Sequence, residues 1–169
     1  MVVIVLLGDF YYDARTFNMA HSLVAEKHIV DVFHSGVRVA SETNNQINVQ
    51  NISLRSSGIL KYIEWNFKLF YFLKTKNYQK IICADLYSLP AVCLGGKKAQ
   101  IIYDSREIFS QLAAHKQSPF KKKINNYVER ICLPYISKII TTAPSDEKHL
   151  REIHPNNKHV SFAVIYNYA

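Results

Sequence analysis

The chain alternates short apolar runs with longer segments in which apolar residues recur at helical spacing. The first run, Val2–Leu7, contains only Val, Ile and Leu, which is typical of a parallel strand buried on both faces. Six further short apolar runs predict strands at Ile29–Phe33, Val49–Leu54, Lys80–Ala84, Ile101–Tyr103, Lys138–Thr142 and Val160–Ile165. We expect the strands at Val2–Leu7, Lys80–Ala84 and Ile101–Tyr103 to be adjacent in the centre of one sheet, and the polar segment Ser41–Asn48 to be a loop.

Five segments between these strands have helical character. They are Ala14–Lys27, Gly58–Lys76, Ser88–Leu94, a segment from Ser118-Pro119 to Pro134, and Pro144–Ile153. Proline near the start of three of them suits the first turn of a helix. Strands that alternate with helices predict an α/β fold: a Rossmann-like, doubly wound, mostly parallel sheet of about seven strands, with helices on both faces and right-handed crossovers.

Composition is consistent with one folded domain. A chain of 169 residues with 49% apolar residues can bury a substantial core. The three cysteines show no CxxC spacing, and Cys83 and Cys132 lie in apolar runs, which predicts buried thiols in a reducing compartment. The N-terminal run has no basic region before it, and no run reaches the roughly 18 apolar residues of a membrane span. We therefore expect a soluble, cytoplasmic protein.

The formal net charge of +8 favours anionic partners without choosing among them. Nucleic acid is not the expected partner, because the sequence has no zinc-finger spacing, no RNP-like motif and no long basic block. The first strand is followed by GDFYYDAR rather than GxGxxG, and neither GxxxxGK[ST] nor GxSxG occurs, which argues against dehydrogenases and P-loop NTPases. The seven histidines show no convincing metal-ligand spacing, so no metal site is expected.

Acidic residues follow three predicted strands at Asp9, Asp85 and Asp104. Ligands of open α/β sheets bind at the carboxyl ends of the strands. Three carboxylates there could hold Mg²⁺, as in a phosphoryl-transfer or receiver-like domain. The favoured alternative is that each carboxylate caps the turn or helix that follows it.

The stretch AQIIYDSREIF at Ala99–Phe109 combines a short strand with a charged turn. Asp104, Arg106 and Glu107 fall within four residues at a predicted site edge. The alternative is that Asp104 or Ser105 caps a helix, with Arg106 and Glu107 forming a solvated pair.

Four stretches, taken in order, resemble the N-terminal domain of retaining glycosyltransferases of the GT-B fold, family four and its relatives. The opening DARTFNMAHSLVAEKHIVDVF is similar to the family's "D.Rv.keA..L...GheV.v" segment, and CADLYSLPAVCL to its "hahDl.slpaa..la" segment. The family's "iiYDsHElf" resembles IIYDSREIF, and VIYNYA looks like "viyNg", where the family's chain crosses to its second domain. The resemblance covers nearly the whole chain.

This resemblance implies an acceptor-side half, residues 1–169, of a nucleotide-sugar-dependent glycosyltransferase that builds a cell-surface glycan or glycolipid. The family needs no metal or other cofactor, and its second domain supplies most contacts to the nucleotide-sugar donor. The implied partners are a sugar or lipid-linked acceptor and a C-terminal nucleotide-sugar domain that these residues do not include. The alternative from another class is a non-catalytic binding or membrane-docking module.

The resemblance also implies site residues. Arg106 occupies the position that is usually His in the family's motif, in a loop that faces the reacting sugar, so Arg106 and Glu107 are the candidate catalytic residues. The candidate substrate-binding residues are Tyr11, Tyr12, Asp13, Arg15, Asp85, Tyr87 and Asp104. The structural alternatives are exposed loop tyrosines, an Arg15–Asp13 pair on the first helical turn, and a Glu107 that complements a helix dipole.

The segment Gly58–Lys76 is apolar on more than one face. We expect the stripe Leu60, Ile63, Phe67 and Phe70 to face the core. The second stripe, flanked by lysines, would then face an anionic membrane surface, a homodimer partner or a covering loop. That stripe consists of Tyr62, Trp65, Leu69 and Phe72, and Lys121–Lys123 could add to the same basic surface.

Overall fold

Seven parallel strands form a single sheet in the computed structural model, which describes residues 1–36, 46–106 and 119–166. The strands are β1 Val2–Leu6, β2 Val30–His34, β3 Ile47–Asn51, β4 Lys80–Cys83, β5 Gln100–Ser105, β6 Lys138–Thr141 and β7 Ser161–Val164. Their spatial order is β3-β2-β1-β4-β5-β6-β7, and every neighbouring pair is parallel. The predicted Rossmann-like α/β fold is confirmed.

The middle strand of the sheet is β4, which lies between β1 and β5, and β1 pairs with β2 on its other side. All five residues of β1 are buried. Val3 and Val5 belong to one hydrophobic core and Val2, Ile4 and Leu6 to the other. Burial on both faces explains why the run is apolar without alternation. The predicted adjacency of the first, fourth and fifth strands is confirmed.

Five helices are present in the described part of the chain: α1 Ala14–Ala25, α2 Gly58–Lys74, α3 Leu89–Gly95, α4 Pro119–Cys132 and α5 Pro144–Ile153. Residues of α1 pack into one core, whereas buried residues of the other four helices pack into the core on the opposite face. Short 3₁₀ turns precede α3 and follow α4, at Leu86–Ser88 and Leu133–Tyr135. Helices therefore cover both faces, as predicted.

One strand begins earlier than the sequence pattern indicates. The prediction placed the third strand at Val49–Leu54, but β3 runs over Ile47–Asn51. This strand is at the edge of the sheet and pairs only with β2, so only Ile47 is fully buried, and three of the other four positions are polar. The expected loop at Ser41–Asn48 was wrong for its last two residues, and residues 41–45 lie outside the described residues.

The two apolar stripes of α2 are reversed relative to the prediction. Trp65 and Leu69 are fully buried, and the Trp65 indole N–H donates to Ser88 Oγ at 2.9 Å. Phe72 is half-buried and packs against Phe33, with ring centroids 5.3 Å apart. The expectation that Tyr62, Trp65, Leu69 and Phe72 form an outward contact surface for a membrane or dimer partner was therefore wrong.

The stripe that was expected to face the core is mostly in solvent. Leu60, Ile63 and Phe67 are each more than 60% exposed, whereas Phe70 is half-buried. Both stripes are apolar, so helical periodicity alone could not choose between them. No described helix has the length and apolar character needed to cross a bilayer. The thiols of Cys83, Cys93 and Cys132 are free and buried, as the sequence predicted for two of them.

Candidate functional site

The loops after β1 and β4 and the described residues directly after β5 and β7 lie at the carboxyl edge of the sheet, because all seven strands are parallel. The loop after β1 leads into α1 through Asp13, whose Oδ1 accepts a hydrogen bond from the Thr16 backbone N–H at 2.8 Å. Asp13 is thus the N-cap of α1. Its second oxygen is directed toward β5, where the charged residues of the IIYDSREIF stretch lie.

Arg15 forms a forked ion pair with Asp104, whose side chain is fully buried. Arg15 Nη2 lies 2.7 Å from Asp104 Oδ1, and Arg15 Nε lies 3.0 Å from Oδ2. Arg15 Nη1 also donates to the Ile165 carbonyl oxygen at 3.0 Å. The guanidinium therefore joins α1 to the end of β5 and to the segment after β7.

Arg106 contacts the same carboxylate from the other side. Its Nε donates to Asp104 Oδ2 at 2.9 Å, and its two terminal nitrogens contact Asp13 Oδ2 and Thr16 Oγ1. Burial disfavours the charged guanidinium, but the carboxylates of Asp104 and Asp13 outweigh it and raise the pKa of Arg106. Two arginines and two aspartates therefore form a charge-balanced cluster, defined here as the Arg15–Asp104–Arg106–Asp13 network.

The network brings together four of the nine predicted site residues. Arg15 pairs with Asp104, 89 positions away, and not with Asp13 on its own helical turn. Asp104 binds two guanidinium groups, one from α1 and one from the residue directly after β5. Glu107 lies outside the described residues.

The predicted tyrosines lie beside the network on neighbouring loops. Tyr12 is 70% exposed, and Tyr11 is half-buried with its ring edge-to-face against the buried His34 at 5.9 Å. Tyr87, in the turn after β4, is half-buried and stacks on Tyr62 with ring centroids 4.7 Å apart. Three tyrosine side chains thus lie on loops at the same edge of the sheet.

Asp85 has a capping role, as the structural alternative proposed. Its Oδ2 accepts from the Leu7 backbone N–H at 2.7 Å and from Ser88 Oγ at 2.8 Å, and its Oδ1 accepts from the Ser88 backbone N–H at 2.8 Å. Burial raises the pKa of Asp85, and these hydrogen bonds act in the opposite direction. Asp85 therefore fixes the end of β1 to the 3₁₀ turn, and through Ser88 it is connected to the buried Trp65.

Among the described residues, no group of three or more His, Cys, Asp and Glu side chains is placed to hold a metal ion. Each strand-end carboxylate has donors from the protein itself. Asp9 accepts from the Tyr11 backbone N–H at 3.0 Å, Asp85 caps a turn, and Asp104 binds two arginines. A cavity of about 260 Å³ lies elsewhere, between α5, β6 and β7, and Arg151, His154 and Phe162 are among its lining residues.

Three residues that sequence reasoning did not select support the site. Thr16 accepts from Arg106 within the network, and nothing in the sequence marks it. His34 Nδ1 accepts from the Gly36 N–H at 3.2 Å, and burial lowers the pKa of His34 despite the nearby Asp9. Asn66 holds the Tyr87 turn by donating to the Tyr87 carbonyl oxygen and accepting from the Ala91 N–H. For Asn66 the sequence did offer a signal, because its polar amide lies among the apolar residues of the segment Gly58–Lys76.

The described residues form a Rossmann-like α/β domain with a cluster of charged side chains at the carboxyl edge of its sheet. The chain is similar to the structure of a sucrose-phosphate synthase from Thermosynechococcus elongatus, with a TM-score of 0.71 and 13% identity over 98% of this chain. It is also similar to the apo form of the lipopolysaccharide outer core galactosyltransferase WaaB, with a TM-score of 0.61 and 11% identity over 99% of this chain. The chain spans about half the length of each structure, 47% and 46% respectively.

No protein-family model and no curated protein sequence matches the chain. At 11–13% identity the two structures establish the fold and not the reaction. The Rossmann-like α/β fold that the sequence resemblance implied is confirmed.

Proposed function

We propose that this chain is the acceptor-side half of a nucleotide-sugar-dependent glycosyltransferase. The observation that carries the proposal is the Arg15–Asp104–Arg106–Asp13 network at the carboxyl edge, in a fold shared with half of two sugar-related enzymes. One exposed tyrosine, Tyr12, and two half-buried ones, Tyr11 and Tyr87, lie on loops at the same edge. Ligands of such sheets bind at this edge. The proposal gives a function to this network of four charged side chains, which the packing of the hydrophobic cores does not require.

In this proposal the tyrosines and acidic groups bind the acceptor. The rings of Tyr11, Tyr12 and Tyr87 offer flat apolar surfaces for the C–H faces of a sugar. The Asp13 carboxylate already accepts from Thr16 and Arg106, but it is 24% exposed and has lone pairs left to accept hydrogen bonds from sugar hydroxyls. Asp104 and Asp85 have their oxygens engaged by protein donors, so they act by positioning the neighbouring loops.

Arg106 is the proposed catalytic cation, with Glu107 as a second candidate. A guanidinium is charged at every physiological pH and can bind phosphate oxygens in a fork, which a neutral histidine cannot. Asp104 and Asp13 hold Arg106 in place, so its charge is fixed before the diphosphate leaving group develops negative charge. The nucleotide-sugar would bind a second, C-terminal domain, with no metal or other cofactor.

The product class in this proposal is a cell-surface glycan or glycolipid, made from a sugar or lipid-linked acceptor on the cytoplasmic side of a membrane. Support comes from the sequence resemblance and from the fold shared with a lipopolysaccharide outer core galactosyltransferase.

A binding assay with defined sugars tests the proposal. We would measure binding of the 169-residue chain to a panel of mono- and oligosaccharides and short lipid-linked sugars by saturation-transfer NMR. The expected result is millimolar binding of at least one saccharide, weakened about fivefold by Tyr12→Ala because one stacking ring is lost. Tyr135→Ala removes another solvent-exposed tyrosine, 57% exposed and outside the site, and should leave binding unchanged.

Two results would count against the proposal. One is the absence of saccharide binding together with tight binding of a free nucleotide. The other is Mg²⁺-dependent phosphorylation of the chain by acetyl phosphate, which would favour the receiver-like alternative.

A further inference from the structure

The outward face of α2 carries a continuous row of large apolar side chains. Its members recur at spacings of three and four residues, and each is 55–77% exposed: Ile59, Leu60, Ile63, Phe67 and Tyr71. A helix on the surface of a soluble domain normally presents polar residues on this face. The inward face is complete without them, because Trp65, Leu69 and Leu73 already fill the core.

The outward face of α4 repeats the arrangement. Its exposed apolar side chains lie at spacings of three and four residues and are 45–69% exposed: Phe120, Ile124, Tyr127 and Ile131. Asn125, Glu129 and Cys132 form the buried side of this helix. Between the two helices lies α3, which contacts both and contributes the exposed Leu94.

Both rows point away from the same face of the sheet. The buried residues of α2, α3 and α4 belong to a single core, on the face opposite α1. Their outward sides therefore form one broad surface, which we name the α2–α4 face and define by the exposed apolar residues given above. It is separate from the carboxyl edge that holds the Arg15–Asp104–Arg106–Asp13 network.

The charge on this face is strongly positive. The two helices contain seven basic residues and two acidic ones, a net charge of +5: Lys61, Lys68, Lys74, Lys121, Lys122, Lys123 and Arg130 against Glu64 and Glu129. Both acids are already engaged. Lys68 pairs with Glu64 at 2.6 Å and, with the nearby backbone N–H groups, lowers the pKa of Glu64 to about 2. Glu129 is buried and contacts His154 at 3.1 Å.

We propose that the α2–α4 face binds the surface of an anionic lipid bilayer. Aromatic and aliphatic side chains with lysines at their margin match the boundary between lipid headgroups and acyl chains. Lysines near an anionic leaflet each strengthen binding about fivefold. The apolar rows would enter the boundary layer while the basic side chains remain at headgroup level.

The charge also argues against a second copy of the chain as the occupant. A two-fold dimer places the same patch on both subunits, which would bring together two helix pairs that each carry a net charge of +5. This inference goes beyond the proposed function and does not depend on it, because vesicle binding requires neither a sugar nor the network at the carboxyl edge.

Vesicle flotation with paired variants tests the inference. At low salt the protein should bind and float with vesicles of phosphatidylcholine mixed with phosphatidylglycerol. Vesicles of phosphatidylcholine alone should bind at least tenfold less protein. Ile63→Ser combined with Phe67→Ser should reduce binding at least tenfold. Ile29→Ser, at a position 59% exposed outside the α2–α4 face, should have no effect.

A charge series and an optical probe complete the test. Lys121→Glu with Lys122→Glu should reduce binding at least tenfold, whereas Lys27→Glu with Lys158→Glu changes the net charge equally and should reduce it far less. Tryptophan introduced by Phe67→Trp should shift its emission to the blue on anionic vesicles, and Trp65, buried in the wild-type protein, should not shift.

The inference is overturned if the two charge pairs have equal effects, if neutral vesicles bind as well as anionic ones, or if the apolar double variant still floats with vesicles. It is also overturned if that variant only converts a dimer to a monomer, because the face would then be a protein interface. Circular dichroism of each folded variant keeps these outcomes separate from unfolding.

Discussion

Arg15 and Asp104 are separated by 89 residues in sequence but joined by a forked ion pair, with Arg15 Nη2 2.7 Å from Asp104 Oδ1. The pair links the first turn of α1 to the end of β5. Since Asp104 is fully buried and also accepts from Arg106, its negative charge is neutralised by two guanidinium groups. The geometry of the candidate site therefore depends on a contact between the first and second halves of the chain.

Removing the charge of Asp104 should destabilise the protein strongly. Asp104→Asn leaves Arg15 and Arg106 partly buried without their shared carboxylate, and loss of a partner from a buried ion pair costs about 3 kcal/mol. The free energy of unfolding, measured by urea titration, should fall by about that amount. Glu147→Gln, which removes an exposed pair with Arg151, should cost less than about 1 kcal/mol. Equal effects would show that the network is no more than a surface feature.

The two apolar stripes of α2 should differ in their contribution to stability. Leu69→Ala removes a fully buried side chain and should lower the free energy of unfolding by about 2–5 kcal/mol. Ile63→Ala changes a side chain that is 61% exposed and should lower it by no more than about 0.5 kcal/mol. Chemical denaturation of both variants measures the difference. A larger loss of unfolding free energy for Ile63→Ala than for Leu69→Ala would indicate that Ile63 faces the core, as the sequence suggested.

The free energy of unfolding should depend on the protonation of His34. Burial lowers the pKa of His34 below its usual 6.5, so the unfolded chain binds this proton more readily than the folded chain. The contribution of His34 to stability is therefore complete above about pH 6.5 and is lost as pH falls from there through the lower pKa of the folded state. Protonation also removes the Nδ1 acceptor used by the Gly36 N–H.

Urea titrations between pH 7 and 5 of the wild type and His34→Asn would check this. The asparagine oxygen can accept the same hydrogen bond but does not titrate, so the difference in unfolding free energy between the two proteins should change over this range. If the difference in unfolding free energy stays constant from pH 7 to 5, protonation of His34 does not affect stability.

Catalysis should require more than these residues. Because the donor is proposed to bind a second domain, residues 1–169 alone should not transfer sugar from any nucleotide-sugar, and measurable turnover by them would contradict the half-enzyme proposal. In the complete enzyme, Arg106→Ala should reduce kcat/KM by more than about tenfold, as expected when a cation that stabilises the leaving group is lost. Lys158→Ala, at an exposed position outside the network, should leave turnover unchanged, and equal effects would remove Arg106 from the site.

The sheet could be predicted from the sequence because its central strands are buried on both faces. Val2–Leu6 is apolar at every position, and this pattern has few alternatives. The edge strand Ile47–Asn51 was placed two residues late, because a strand with one neighbour needs few apolar residues. For α2 the helix itself was predicted, but its orientation was not. Burial of Trp65 against Ser88 is a tertiary contact that helical periodicity cannot show.

The candidate site was predicted in part. Asp13, Arg15, Asp104 and Arg106 were selected from the resemblance, but their pairing was not, because it depends on strand order bringing α1 next to β5. The local pairing of Arg15 with Asp13 was the natural expectation for residues on one helical turn. The role of Thr16 has no sequence signature, since a buried threonine hydroxyl in a helix commonly serves the backbone instead.

The most direct test of the central claim is to map, residue by residue, where an acceptor sugar binds. Backbone amide shifts of the isotope-labelled chain would be recorded during titration with the saccharide that binds best. The account predicts that the largest shifts occur in residues 8–15, at Tyr87, and in residues 104–106, and that Tyr12→Ala reduces them. Shifts confined to the cavity lined by Arg151, His154 and Phe162, with none at the carboxyl edge, would contradict it.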